Sequence, residues 1–279
     1  MQKSIDEVTI FCDGLDHPEC VAVHKNGTVW AGGEAGQVYR ISADGKSVGE
    51  VANTGGFILG LAFAPGGEWL AICDLKKHCI WRYNLQSKAL TLFATHVNNQ
   101  PIRIPNFPVF DATGALYVSD SGAFRQVNGV IYKFDAKGRG NIWHPDPFNF
   151  PNGMALSTDG KTLYVVCSFL PGVEQIKINK DGSAGERSLL VHMPQTCPDG
   201  IAVDSDGQLL ISCYAPNSIY RCSPEGQLTL LIHDWEAHTL SNPTNIAFGG
   251  TNNRQLFVAN LGRWHIARLD MEVAGLPFY

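Results

Sequence analysis

The sequence predicts an all-β chain folded as a six-bladed β-propeller of four-stranded antiparallel blades, and three observations carry that expectation. A short phrase returns six times: Glu19-Cys-Val-Ala-Val, Leu59-Gly-Leu-Ala-Phe, Asn106-Phe-Pro-Val-Phe, Asn152-Gly-Met-Ala-Leu, Asp199-Gly-Ile-Ala-Val and Thr244-Asn-Ile-Ala-Phe. The turn residue after each phrase (Gly27, Gly67, Gly114, Gly160, Gly207 and, in the sixth copy, Asn253) advances in steps of 40, 47, 46, 47 and 46 residues. A period near 45 residues is that of propeller blades. No long segment carries the 3.6-residue apolar period of an amphipathic helix, so helices should be scarce.

Within each repeat the elements follow one order. The phrase itself reads as the innermost strand. It ends in a polar turn such as Lys25-Asn-Gly, Asp111-Ala-Thr-Gly, Thr158-Asp-Gly or Ser205-Asp-Gly, which is hairpin chemistry. A β-rich second run follows, as in Thr28-Val-Trp-Ala, Ala115-Leu-Tyr-Val and Thr162-Leu-Tyr-Val-Val. A third run comes next, as in Gln37-Val-Tyr-Arg-Ile, Val130-Ile-Tyr-Lys-Phe and Ser218-Ile-Tyr-Arg-Cys. Residues 4–12 precede the first phrase and are expected to supply the outer strand of the last blade, pairing an edge that would otherwise stand open. With no linker and no low-complexity tract, residues 1–279 read as one propeller domain.

Composition narrows the function classes. The chain is 44% hydrophobic and 17% charged, with a formal net charge of −5, which argues against nucleic acid and its demand for a basic stripe. No stretch approaches the roughly 18 apolar residues of a membrane span. The start, Met1-Gln-Lys-Ser-Ile-Asp-Glu, has no apolar signal core, so the cytoplasm is the expected compartment. The eight cysteines are then expected as reduced thiols, most of them small buried hydrophobes; no Cys-x-x-Cys occurs. There is no Gly-x-Ser-x-Gly elbow and no nucleotide-binding glycine loop.

The chemistry is expected where the innermost strands begin, because equivalent positions of different blades converge on the propeller axis. That position holds Glu19, Leu59, Asn106, Asn152, Asp199 and Thr244. Two carboxylates and two amide oxygens make a hard, all-oxygen set that suits calcium, or magnesium or manganese. A single Asn, Asp or Glu at a turn is more often a strand cap. Four at one register, two of them carboxylates that would repel each other in a channel without a cation, point to a metal.

His17-Pro-Glu19, Arg103-Ile-Pro-Asn106, Phe150-Pro-Asn152-Gly and Cys197-Pro-Asp199-Gly resemble the metal motifs of the senescence marker protein/gluconolactonase/regucalcin family, one per blade over nearly the whole chain. The resemblance implies a six-bladed propeller with one divalent cation in the channel, mostly opening lactones. It matches the metal ligands to Glu19, Asn152 and Asp199, with Asn106 as a fourth ligand or as a neighbour that meets the substrate. It also makes Asp199 the candidate general base. The cation is expected to be calcium first, with zinc, manganese, magnesium and iron(II) as alternatives. It would polarise the carbonyl of a small lactone or ester. Arg103, three residues before Asn106, either holds substrate oxygens bidentately or is a surface arginine in a loop. His17 either supports the metal site or is a strand-edge histidine bonded to backbone.

Many members of that family carry Asp directly after the third-blade Asn; this chain has Phe107 and then Pro108. Phe57, Phe124, Phe148, Tyr214 and Trp264 are placed at or near loops of the same end. If two or three of them line the mouth, the substrate is less polar than gluconolactone. Two other readings stand beside the lactonase: a strictosidine-synthase-like condensing enzyme, against which Thr244 counts in the last blade, and a non-catalytic ligand-binding propeller with a structural calcium. The expected partner is a small molecule, with no nucleic acid and no membrane; association into a homo-oligomer is left open.

Overall fold

Every expected inner run is a strand in the computed structural model, which describes residues 2–135 and 137–277. The six are Cys20–Val23, Ile58–Phe63, Pro105–Phe110, Pro151–Leu156, Cys197–Val203 and Pro243–Gly249. All six turn residues of the 40–47-residue ruler adopt left-handed backbone, with φ from 56° at Asn253 to 87° at Gly27. Glycine takes this conformation without strain, and asparagine is the next residue to tolerate it, which explains the substitution in the sixth copy.

From each turn the chain meanders outward, so that each sheet is antiparallel and runs in chain order from axis to periphery. The third blade adds a short fifth strand, Phe148–Asn149, on Val127–Phe134. The sixth blade takes three strands from the end of the chain, Pro243–Gly249, Gln255–Asn260 and His265–Asp270. Its outer strand is Val8–Cys12 from the start, with Val8 opposite Leu269 and Ile10 opposite Ala267. The expected strand over 4–12 is thus shorter, because Ser4 and Glu7 form a capping box that bends residues Ile5–Glu7 into a single 3₁₀ turn. That turn and Thr251–Asn253 are the helical elements among the described residues, and no helix there is long and apolar enough to cross a membrane.

The core is divided like the sheets. Six apolar clusters occur, one between each pair of neighbouring blades: Trp30, Ile58 and Ile72 between the first and second, Tyr117, Phe148 and Met154 between the third and fourth, Phe257, Ile266 and Leu15 between the sixth and first. Fully burying such a side chain contributes roughly 1.5–3 kcal/mol, so each interface is a substantial core. The axis is therefore left free of core packing. Seven of the eight cysteines lie in or beside these clusters, buried as small hydrophobes, and Cys197 is half-buried.

Val8 and Cys12 are each 7% exposed and belong to clusters on either side of the closing blade. Deleting residues 1–12 removes this burial and leaves the His265–Asp270 edge unpaired, a loss on the order of 5 kcal/mol. Size-exclusion chromatography of the truncated chain is expected to show aggregation and thermal melts a clearly lower transition. A truncated monomer melting within about 2 °C of the full chain would contradict the closure argument.

A candidate metal centre at the channel mouth

Two local devices turn the ring residues toward the axis. Proline precedes the ring position in five blades, as Pro18, Pro105, Pro151, Pro198 and Pro243, and withholds an N–H from the ladder there. Immediately afterwards the strand pairing slips: between Pro105 and Pro108, Pro151 and Met154, Pro198 and Ile201, and Pro243 and Ile246. Such bulges re-aim a side chain out of the alternating pattern of a strand. Neighbouring inner strands also approach closely at this level. A Cβ on Gly153 would lie 2.6 Å from the Asp199 carbonyl oxygen, and one on Gly200 2.6 Å from that of Thr244. The glycine after Asn152 and after Asp199 is the sequence signal of that approach.

Serine hydroxyls fix which way the asparagine amides face. Ser121 Oγ donates to the Pro151 carbonyl at 2.8 Å and accepts from Asn106 Nδ2 at 3.0 Å. Ser168 Oγ donates to the Pro198 carbonyl at 2.8 Å and accepts from Asn152 Nδ2 at 3.3 Å. Because a carbonyl can only accept, each hydroxyl proton is committed to the next blade, and the serine oxygen is left to receive an N–H. The amide nitrogen is thereby held on the blade side and the amide oxygen is left over. Ser119 and Ser212 tie neighbouring blades in the same way, donating to the carbonyls of Asn152 and Thr244.

Four side-chain oxygens at this level are buried without any hydrogen-bond partner: Glu19 Oε2, Asn152 Oδ1 and Asp199 Oδ1 at ring positions, and Asn245 Oδ1 one residue beyond the ring. Asn152 is 4% and Asp199 7% exposed. Burial pushes the Asp199 carboxyl up to about 7, against the pull of the Asn152 amide. Burial and the facing Asp199 charge together raise Glu19 well above the carboxylate range. Orphaned oxygens carrying two negative charges, from the first, fourth and fifth blades, fit a hard divalent cation. No group of three or more His, Cys, Asp or Glu is arranged to hold a metal ion among the described residues, so the amide oxygen is an essential part of this donor set.

Asn106, 4% exposed, sits at the same register, but its oxygen is not among the orphaned atoms. Leu59 and Thr244 complete the ring, and Thr244 Oγ1 turns back to the Ala259 carbonyl. Asn245, overlooked in the sequence, donates its Nδ2 to the carbonyls of Glu19 and Leu59, at 3.0 and 3.4 Å, tying three blades together at the axis. Its only signal is its position in the slot that glycine fills in the second, fourth and fifth blades.

At the rim, Arg103 is exposed and its Nη2 donates to the Asn128 carbonyl at 2.7 Å. The buried Asp120 carboxylate holds the backbone N–H groups of Arg103 and Ile104 at 2.7 and 3.0 Å. His17 contacts the carboxylates of Asp16 and Glu34, at 2.8 and 3.3 Å, rather than backbone, and packs at a tilt against the Trp264 ring. Of the aromatic residues expected here, Phe148 is fully buried beneath Arg187 and belongs to the core. Phe124, 67% exposed, instead meets Phe150 and Phe169 edge to face, and those two rings pack at a tilt against each other. Phe107 turns toward the core between the third and fourth blades.

Two predictions follow from this electrostatic arrangement. An aspartic acid in the unfolded chain titrates near 3.9, so between about pH 4 and 7 the metal-free native state holds a proton that the unfolded state has released. Stability of the chelator-treated protein therefore falls as pH rises through that window, by about 1–3 kcal/mol. Asp199→Asn is expected to flatten this dependence in thermal melts at pH 5 and pH 8, and calcium to stabilise the wild type but not the variant. Equal slopes for the two proteins would contradict the assignment. Ser168→Ala frees the Asn152 amide to rotate and is expected to weaken calcium binding about 10–100-fold by calorimetry, with little change in fold.

Residues 59–261 match the family described as the SMP-30/Gluconolactonase/LRE-like region. Among curated relatives, regucalcin of Xenopus laevis is 28% identical over 123 residues, covering 43% of this chain and 40% of its own length. Gluconolactonase of Zymomonas mobilis is 25% identical over 204 residues, covering 66% and 56%. The matches thus span about half the length of these relatives. The solved structure of a gluconolactonase from Xanthomonas campestris superposes with a TM-score of 0.81 over 94% of this chain and 89% of its own, at 20% identity, which speaks for the fold. With the family match running through the second to sixth blades and most of the ring, the protein belongs to the SMP-30/Gluconolactonase/LRE-like family.

Proposed function

We propose that the protein hydrolyses a lactone or related ester, with one divalent cation, calcium first, held by Glu19, Asn152 and Asp199. The observation that carries this reading is the set of three ring-position oxygens, on Glu19, Asn152 and Asp199, buried without partners at the mouth of the channel. A cation bound there would act as a Lewis acid on the ester carbonyl and stabilise the oxyanion that develops on attack.

The remaining steps fall to the chain's own residues. Asp199 takes a proton from the attacking water as the hydroxyl oxygen bonds to the acyl carbon. The ring C–O bond then breaks, and the leaving alkoxide recovers the proton. Asn106, whose nitrogen is engaged by Ser121, turns its amide oxygen to the substrate side and orients a hydroxyl or the attacking water. Arg103 spends one N–H on the Asn128 carbonyl and keeps others for substrate oxygens. Phe107 replaces a polar neighbour of the ring, and the Phe124, Phe150 and Phe169 cluster offers an apolar wall on the same side. These features favour an aryl or aliphatic lactone over a sugar lactone.

The test is a turnover screen of sugar, aliphatic and aryl lactones and aryl esters, with calcium, manganese, zinc and iron(II) each added to stripped enzyme. Chelation is expected to abolish activity, and Asp199→Asn to lower kcat by about 10²–10⁴-fold. Aryl or aliphatic lactones are expected to exceed gluconolactone in kcat/KM. Activity that survives chelation would sink the mechanism, and stabilisation by calcium without turnover of any ester would favour a non-catalytic binding propeller.

A further inference from the structure

The channel does not end at the oxygen ring. Three residues beyond each ring position stand Ala22, Ala62, Val109, Ala155, Ala202 and Ala247, alanine in five blades of six. They are structurally equivalent, facing the corresponding residues of the second strands, for example Ala22 opposite Trp30, Ala155 opposite Tyr164 and Ala247 opposite Phe257. All six line a single cavity of about 280 Å³ at the end of the channel away from the ring. Ala62, Val109, Ala202 and Ala247 remain partly exposed within it. Interiors normally close to crystal-like density, and a valine or leucine at this register would fill the space. Small side chains repeated at one register keep it open.

Its chemistry is one-sided. No acidic side chain lines it, and the walls are otherwise aliphatic and aromatic, with Leu276 and Pro277 of the C-terminal segment closing one side. That segment is held by Gly275 N donating to the Asn253 carbonyl and Asn253 Nδ2 donating to the Leu276 carbonyl, at 2.8 and 2.7 Å. At the mouth, His24 Nδ1 accepts from the Asn26 N–H, which leaves Nε2 to donate to the Gly67 carbonyl. Lys25 beside it is exposed and has no acidic partner among the described residues. A sugar would leave its hydroxyls unpaired against these walls. An apolar chain ending in one negative charge would not.

We propose that this cavity binds a medium-chain aliphatic carboxylate, its chain among the alanines and its head on Lys25. At roughly 30 Å³ per methylene-sized group, the volume takes a chain of about eight to ten carbons. The site is separate from the ring, since about 10 Å of strand lies between the two levels.

The experiment is calorimetric titration of metal-replete protein with straight-chain carboxylates of six to fourteen carbons. One saturable site is expected, with affinity rising about fourfold per methylene up to eight or ten carbons and then levelling. Lys25→Gln is expected to weaken the carboxylate up to about fivefold and to leave the alcohol of equal length unchanged. Ala155→Leu and Ala202→Leu should abolish binding while thermal melts and esterase turnover stay near wild type. If either fails to fold, Ala247→Val should instead shorten the preferred chain by one or two carbons. Binding that is absent, that strengthens without a break to fourteen carbons, or that persists in the leucine variants overturns the proposal. So does binding lost in Asp199→Asn or on chelation, which would assign the carboxylate to the oxygen ring.

Discussion

The structure depends on how closely six inner strands approach one another at the top of the channel. Each blade there presents a backbone carbonyl that its neighbour must meet. Ser121 and Ser168 meet theirs with a hydroxyl, Asn245 meets that of Glu19 with an amide, and Gly153 and Gly200 come close enough to exclude any side chain. Blade packing and site geometry are consequently one problem. The serines that satisfy a neighbour's carbonyl also hold the ring amides, and the slipped register that admits the close approach also points the ring residues inward.

Charge at the axis follows from the same geometry. A ring built wholly of carboxylates would be intolerable without a cation, whereas the present set carries only Glu19 and Asp199, with asparagine oxygens added at no cost in charge. Desolvation drives both carboxyls upward, and the Asp199 charge adds to it at Glu19, so the metal-free ring is a poor host for its own charge. A divalent ion held there would turn that penalty into affinity.

Much of this was legible in the sequence because repetition multiplies weak signals. One Asn before a glycine means little; the same register occupied by Glu19, Asn106, Asn152 and Asp199 locates an axis. The turn ruler was read correctly even where Asn253 replaced glycine, since both residues accept a positive φ. Ser121 and Ser168 stand after second strands without a nucleophile elbow, and their role was not legible because it lies in pairing with the following blade, a contact 30 residues away in each case that no local pattern announces. Phe148 was misplaced for a similar reason. A phenylalanine in a loop-like stretch looks like rim until it pairs as a fifth strand with Val127–Phe134 and an arginine, Arg187, covers its ring. Its burial depends on residues of another blade.

The closing strand sets a timetable as well as a shape. Val8–Cys12 waits for Ile266–Leu269, the most distant pairing the chain makes, and contacts of that span form late because loop closure must precede them. Glu19 lies just inside that seam: its carbonyl is held by Asn245, and His17, two residues before it, packs against Trp264. During synthesis, five blades can therefore stack while the seam still gapes, with Asn152 and Asp199 already side by side and their third partner loose. The oxygen ring is complete only once the ends of the chain have found each other, so a cation that needs all three of its oxygens would report that the whole circle has closed.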